Sequence, residues 1–311
     1  MILLVTPCRQ EQITAIINPA TEMISDYRCF FCLVKSFEKL LEKESISVQA
    51  KNNFILDMIN LYKNHQESIS SPEFARDLHR ILKTYTNNHD PYKSEKHQSN
   101  IQALKMMPDM ESIISRSPDP FITALRLSIA GNVIDYAANH NFNLNNTINQ
   151  ALISDFAIDH SEHLRKALKN ADSVLYLGDN AGEIVFDKLF IKTTGHKNIT
   201  YAVRGMPIIN DATIEDAEFI GMKEVANVIS NGYDAPSTII EKSNEEFRNY
   251  FRSSSLIISK GQGNLEGLLD LNDKRIYFLL MVKCDVMAEF LKVKKGSFVV
   301  FNRSLSDEMP H

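Results

Sequence analysis

Four polar turns hold the residues that could do chemistry. They are Gly178-Asp179-Asn180-Ala181-Gly182-Glu183, Arg204-Gly205-Met206-Pro207 running on to Asn210-Asp211, Lys260-Gly261-Gln262-Gly263-Asn264, and Lys283-Cys284-Asp285. Two of the turns are acidic and two begin with lysine. If Asp179 and Asp211 face one crevice about 4 Å apart, they repel by roughly 4 kcal/mol at an effective dielectric near 20. A divalent cation relieves that repulsion. Two carboxylates and the amide oxygen of Asn180 are hard ligands, suited to Mg²⁺ or Mn²⁺ rather than to thiolate-bound zinc. Lys260 and Lys283 then suit an anion that bridges the metal, and a phosphate ester satisfies both halves. The competing reading is plainer: Asp179 and Asn180 cap a helix.

The elements that must position these turns can be read from the hydrophobic spacing. Ser173 to Leu177, Ile199 to Val203, Val225 to Ile229, Leu256 to Ser259, Ile276 to Leu280 and Phe298 to Phe301 read as buried strands. Helical patterns such as Ile184 to Ile191 and Ile239 to Phe251 lie between several of them. The fold class is therefore α and α/β, the latter a doubly wound, mostly parallel α/β/α sheet. In such sheets ligands bind beyond the carboxyl ends of the strands, where the four turns fall. Before residue 170 the pattern is helical. Leu33, Phe37, Leu40 and Leu41 form one stripe; Phe121, Leu125, Ile129 and Val133 form another, behind the helix start Asp119-Pro120. Residues 1–170 are read as a helical domain and 171–311 as an α/β domain that binds metal and phosphate. The Asn/Thr-rich stretches around 86–89 and 144–149 read as loops.

Composition excludes several classes. The 311 residues carry 34 basic against 39 acidic side chains, a net charge of -5 that leaves no basic excess for nucleic acid. No apolar run approaches the length of a membrane span, so no membrane partner is expected. Met1 to Val5 makes a poor secretory signal and reads as an edge strand or a flexible start. Four cysteines are too few for a disulfide scaffold of this size, which points to the cytoplasm.

The polar turns resemble a known family. The runs Gly178 to Glu183, Pro207-Ile208-Ile209-Asn210-Asp211-Ala212-Thr213-Ile214-Glu215-Asp216-Ala217 and Lys260 to Glu266 are similar to the domain-of-unknown-function 89 family, the metal-dependent damage-control phosphatases. Asp90-Pro91-Tyr92-Lys93, Lys96, Asn100 and Gly131-Asn132-Val133-Ile134-Asp135 match in the helical half. Cys29-x-x-Cys32 and Lys283-Cys284 point to the small prokaryotic-type branch. The resemblance spans roughly residues 27–301. It implies metal ligation by Asp179, Asn180 and Asp211, the positions already selected by chemistry. It also implies a substrate loop over Gln262 to Glu266, including Asn264, and a phosphate-binding Lys283. Arg204 stands where related proteins often carry Lys, and as either cation can meet an anion it is read as substrate-binding; Leu265 stands where many carry an aromatic. The implied activity is hydrolysis of sugar phosphates or damaged phospho-metabolites. Water attacks phosphorus, a divalent metal (Mn, Mg, Co or Ni) acts as Lewis acid, and Glu183 or Asp216 orients or deprotonates the water. Two alternatives are an S-adenosylmethionine-dependent carboxyl methyltransferase and a non-catalytic sugar-phosphate binder.

Other signals have plainer readings. Cys29-x-x-Cys32 with Cys284 is either a redox or metal site or a set of small helix-start cysteines. Gly261-x-Gly263 departs from the dinucleotide fingerprint, and a tight turn near a phosphate is preferred. His160 and His163 suit a solvated helix face. Asp187, one turn after Glu183, points either to the site or to solvent. Asp90, Asn132 and Asp135 either close the crevice or pack helices. Phe186 and Phe190 are core.

Overall fold

The computed structural model describes residues 26–65, 70–139 and 144–305, with the side chains of residue 65 and of 132–147 outside that description. The readings of Met1 to Val5 and of the Asn132 and Asp135 side chains therefore lie outside the described residues.

Three helices come first: α1 (Tyr27–Lys43), α2 (Val48–His65) and α3 (Ser71–Thr86). Each begins or ends for a local reason. Asp26 caps α1 by accepting from the Arg28 amide at 2.8 Å. Ser70 caps α3, Pro72 occupies its first turn, and Asn87 closes it in the left-handed conformation. Phe37, Leu40, Leu41, Phe54, Met58, Phe74, Leu78 and Leu82 bury a core of their own between these helices. Longer helices follow: α4 (Lys93–Arg116), α5 (Pro120–Asn139) and α6 (Leu144–Ile153). The Asp119 carboxylate accepts from the Ile122 amide and starts α5, as its sequence suggests.

The sheet has seven strands. They are β1 (Phe156–Asp159), β2 (Val174–Leu177), β3 (Ile199–Val203), β4 (Asn227–Ser230), β5 (Leu256–Lys260), β6 (Ile276–Met281) and β7 (Phe298–Phe301). Their spatial order is β1-β7-β6-β5-β2-β3-β4, and every pair is parallel except β6 with β7. The helices that pack on the sheet are α7 (Ser161–Asn170), α8 (Glu183–Thr194), α10 (Glu245–Ser253), α11 (Gly261–Leu268) and α12 (Asp285–Leu291); α9 (Ile214–Phe219) follows β3. Alternation along β2 feeds two cores. Val174 and Tyr176 join Met106, Leu125, Phe186 and Phe190 on one face, while Leu175 and Leu177 join Phe247, Leu265 and Met287 on the other.

Two sequence readings need correction. The N-terminal half is not all helix, because Phe156–Asp159 is an edge strand paired in parallel with β7. Four residues preceded by Asp155 and ending in Asp159 carry too little apolar pattern to announce a strand. α4, α5 and α6 share one core with the sheet, and only α1 to α3 enclose a separate one. The stretch 144–149 lies on α6, where Ile148 and Ala151 are buried at helical spacing. Among the described residues no helix is long and apolar enough to cross a membrane.

Candidate active site

The chain runs from β2 to β3 and β4 on one side, then crosses to β5 on the other side of β2. This reversal places the carboxyl ends of β2 and β5 at a switch point, the usual ligand crevice of a doubly wound sheet. The Gly178–Glu183 turn leaves β2 there. The turn after β3 lies against it through an isolated antiparallel bridge between Asn180 and Asp211. Ala181 donates its amide to Asn210 O at 2.9 Å, and Ala212 donates to Asp179 O at 2.8 Å. Two backbone bonds thus bring Asp179, Asn180 and Asp211 together. All three are nearly sealed from solvent, at 7%, 5% and 3% exposure. Ile209, a β-branched residue, sits at φ 44 in the same turn, a strained conformation of the kind that clusters at functional sites.

Around this pair lie the charges of a single buried cluster. Arg204 Nε donates to Asp211 Oδ2 at 2.6 Å, and its Nη2 lies 3.5 Å from Asp179 Oδ1. Lys260 donates to Glu183 Oε1 at 2.7 Å and also to Asp187 Oδ1. Asp187 additionally accepts from the hydroxyls of Tyr176, Tyr201 and Ser128 at 2.8–2.9 Å. Four buried carboxylates (Asp179, Glu183, Asp187, Asp211) thus face two buried cations (Arg204, Lys260), so that with all four ionised two negative charges have no buried counter-cation and only the exposed Lys283 acts on them from the rim. The titration of the group reflects that surplus. Burial, then the charges of Asp211 and Glu183, push Asp179 up to about 7. Burial also raises Asp211, and Arg204 only partly offsets it. Glu183 goes the other way: burial opposes its charge, but Lys260 and Lys283 hold it below the ordinary value.

These features test the fit of a divalent cation. A surplus of two buried negative charges is what one such ion neutralises. Asp179, Asp211 and the Asn180 oxygen are the hard donors at hand. Among the described residues no three His, Cys, Asp or Glu side chains form a ready cage, so protein atoms would fill only part of a coordination shell. Incomplete ligation is how Mg²⁺-type ions are held beside phosphates.

Several residues selected from the sequence take other work. Lys260 is wholly buried, and its ammonium donates to Ser128 O, Glu183 and Asp187. Arg204 is likewise spent on Asp211, Asp179 and Asn264, and serves as a counter-cation. Asn264, also wholly buried, donates to Gly178 O and Lys260 O and accepts from Thr238, which ties β2 to β5 rather than touching a substrate. Asp216 is no free base. It closes a capping box with Thr213 and accepts from Lys96 and Asn100. Gln262 bonds Glu266, Cys284 and the Lys283 amide, which makes it a brace of the loop. Lys283 remains the exposed cation, and its charge reaches Asp179, Glu183 and Asp211.

The helical half reaches the site as well. Asn100 Oδ1 accepts from the Gly182 amide at 2.7 Å, and Lys96 bridges Asp90 and Asp216 at 2.9 and 3.3 Å. Sequence reasoning left Asp187 undecided and passed over Tyr176 and Tyr201. The signal was present: two tyrosines in otherwise aliphatic strands, in direct register on β2 and β3. Gly261 and Gly263 make room for protein atoms, since a Cβ would strike Asp179 at the first and Pro236 O at the second. His160 is half-buried, stacks on Phe301 and accepts from the Asn302 amide, which is a structural role; His163 is exposed. Cys284 caps α12, and burial drives the Cys29 thiol up to about 12, opposite to a reactive thiolate.

Glu266 gives a pH prediction. Burial pushes its carboxyl up to about 7, with one bond from Gln262 opposing. The folded state holds the proton more tightly than the unfolded chain, so this contribution is complete below about 4.5 and lost as pH rises through 7. Glu266→Gln should melt with wild type at pH 5 and above it at pH 8, by about 2 kcal/mol after allowance for partial exposure. Equal melting of the two proteins at pH 8 counts against this account.

The chain is similar to known proteins. Residues 25–299 match the family model described as the damage-control phosphatase ARMT1-like domain. An uncharacterized protein of Methanocaldococcus jannaschii is 34% identical over 288 residues, 88% of this chain and 94% of its own. A damage-control phosphatase of Pyrococcus horikoshii is 32% identical over 279 residues, 88% of this chain and 96% of its own. The crystal structure of a DUF89 family protein from Pyrococcus horikoshii superposes with a TM-score of 0.81 at 30% identity, covering 89% of this chain and 98% of the other.

Proposed function

The chain belongs to the damage-control phosphatase family, and from that premise we propose that it is a metal-dependent phosphomonoesterase of the cytoplasm. Its substrates are small phosphorylated metabolites, sugar phosphates or damaged phospho-compounds. The observation that carries the reading is the buried surplus of two negative charges at the switch point of the sheet. A protein bears that cost where a cation and a substrate relieve it.

Asp179, Asn180 and Asp211 would hold the ion. When bound, it supplies Lewis-acid polarisation of a phosphoryl oxygen. Lys283 stands at the rim as the exposed cation that meets the remaining phosphate charge. The bridge between Asn180 and Asp211 keeps the two acidic turns in register without reorganisation during the reaction. Neither carboxylate proposed to activate water is free for that work. Asp216 is committed to Thr213, Lys96 and Asn100, and Glu183 to Lys260 and Asn180. Monoester hydrolysis tolerates this, because its loose transition state depends on positioning and charge more than on a strong nucleophile.

The experiment is phosphate release by chelator-stripped protein. Mg²⁺, Mn²⁺, Co²⁺ and Ni²⁺ are added in turn, against an aryl phosphate and a panel of sugar phosphates. Turnover with at least one metal and none without is expected. Absence of release from folded, metal-loaded protein across the panel rejects the proposal.

A further inference from the structure

Lys260 has three N–H donors, and the structure supplies three acceptors: Ser128 O at 2.9 Å, Glu183 Oε1 at 2.7 Å, and Asp187 Oδ1. The ammonium is therefore a fixed peg joining α5, α8 and β5. Glu183 is the arm that carries this fixation upward. One of its oxygens is held by Lys260, and the other accepts from Asn180 Nδ2 at 3.0 Å. The same Asn180 nitrogen donates to Asp179 Oδ2 at 2.7 Å. Both amide hydrogens thus point at carboxylates. A flipped amide would set its oxygen against those two carboxylates, so only one orientation is electrostatically allowed. Gly131 on α5 leaves the space Glu183 needs, since a Cβ there would press on Glu183 Cγ at 3.0 Å.

We infer that Glu183 is a positioning residue for cation binding: anchored by Lys260, it turns the Asn180 amide so that its oxygen is the atom offered to a divalent ion. The inference rests on the metal-dependent reading above and deepens it. Outer partners of metal ligands typically set affinity by about 10–100-fold, through orientation rather than contact. In Glu183→Gln the new side chain carries an amide group of its own, so it no longer forbids the flipped Asn180. Lys260 keeps Asp187 and Ser128 as partners.

The test is titration of metal-free protein with Mn²⁺ by calorimetry, alongside phosphate release as a function of Mn²⁺. Glu183→Gln is expected to raise the Mn²⁺ Kd by about 10–100-fold. Its phosphate release should recover as Mn²⁺ is raised above the new Kd. Asp187→Asn disturbs the same buried network without touching Asn180. It is expected to lower the melting temperature while leaving the Kd within about threefold, well short of the change expected at an outer ligand partner. A wild-type Kd in folded Glu183→Gln overturns the inference, and so does an equal loss of affinity in both variants, which marks general loosening. Wild-type protein that binds no Mn²⁺ and releases no phosphate overturns the metal-dependent reading itself, a separate failure.

Discussion

Asp179→Asn is expected to lose at least about 1,000-fold in phosphate release and yet, stripped of metal, to melt higher than the wild-type chain. The two effects have one origin. Asp179 is a buried carboxylate whose nearest cation, Arg204, stands 3.5 Å away and is already engaged by Asp211 at 2.6 Å. Without a metal, burial and then repulsion by Asp211 and Glu183 push its carboxyl up to about 7. Its folded-state pKa is raised, so stability is complete below about 4 and declines as pH climbs through 7. Replacing it with a neutral amide of the same shape removes the repulsion. A gain of about 2 kcal/mol at pH 8 corresponds to roughly 3 °C for a chain of this size. The activity loss follows from removing a charged ligand of the proposed cation site, about 4 kcal/mol of barrier for a thousandfold. Asp211→Asn should lose as much activity without the gain, because it breaks the close pair with Arg204 and leaves that guanidinium less compensated. Thermal melts in chelator at pH 8, beside phosphate release with Mn²⁺, decide the matter. A lower melting temperature for Asp179→Asn means the surplus charge has been misjudged.

The second large effect belongs to a residue with no side chain. Gly261 begins α11 at φ +80, and a Cβ there would collide with Asp179 Oδ2 and Cγ. Gly261→Ala therefore meets two penalties, a left-handed backbone worth about 1–2 kcal/mol and displacement of Asp179, a ligand of the proposed cation site. The expected cost is about 2–4 kcal/mol in stability. Activity should fall at least about 100-fold, the usual loss when a reacting group is misplaced by about an ångström. Gly195 supplies the control. It has φ +67, and a Cβ at that position would meet nothing within 4 Å, so Gly195→Ala carries the backbone penalty alone. Denaturant melts of both variants separate the two contributions, and activity is expected to fall only in Gly261→Ala. If both variants lose stability equally and both stay active, the glycine is merely conformational.

The carboxyl-edge turns were legible because a parallel sheet obliges its polar turns to gather at one rim. Ile199–Val203 and Phe298–Phe301 form strands as read, and the other strands shift by a residue or two at their ends. The direction of the lysines was not legible. A strand-end lysine at position 260 could point up to an anion or down into the protein, and only the packing of α5 and α8 decides it. The same holds for Arg204, whose type suits a phosphate as well as a carboxylate. Asp216 could have been assigned: Thr213 precedes it by three positions, the spacing of a capping box, so its carboxylate had a local task in view. The segment Ile239 to Phe251 reads as one helix. It breaks at Asn244, whose side chain accepts from the Phe247 amide and restarts the chain as α10. An asparagine inside an amphipathic pattern is a cap as readily as a helical residue.

The small helical lobe formed by α1 to α3 has its own apolar interior. Polar links fasten it to the rim of the sheet: Arg28 to Glu289 at 2.7 Å, Arg80 to Asp234 at 2.6 Å, and Lys83 to Pro207 O at 2.8 Å. None of these six residues belongs to the buried charge cluster. Selection can therefore act on the two parts separately. Substitutions within the lobe or along its polar seam can drift and reshape the approach to the rim, while the acidic turns and their lysine peg stay unaltered. A division of this kind lets one reaction centre be inherited intact while the compounds admitted to it diversify.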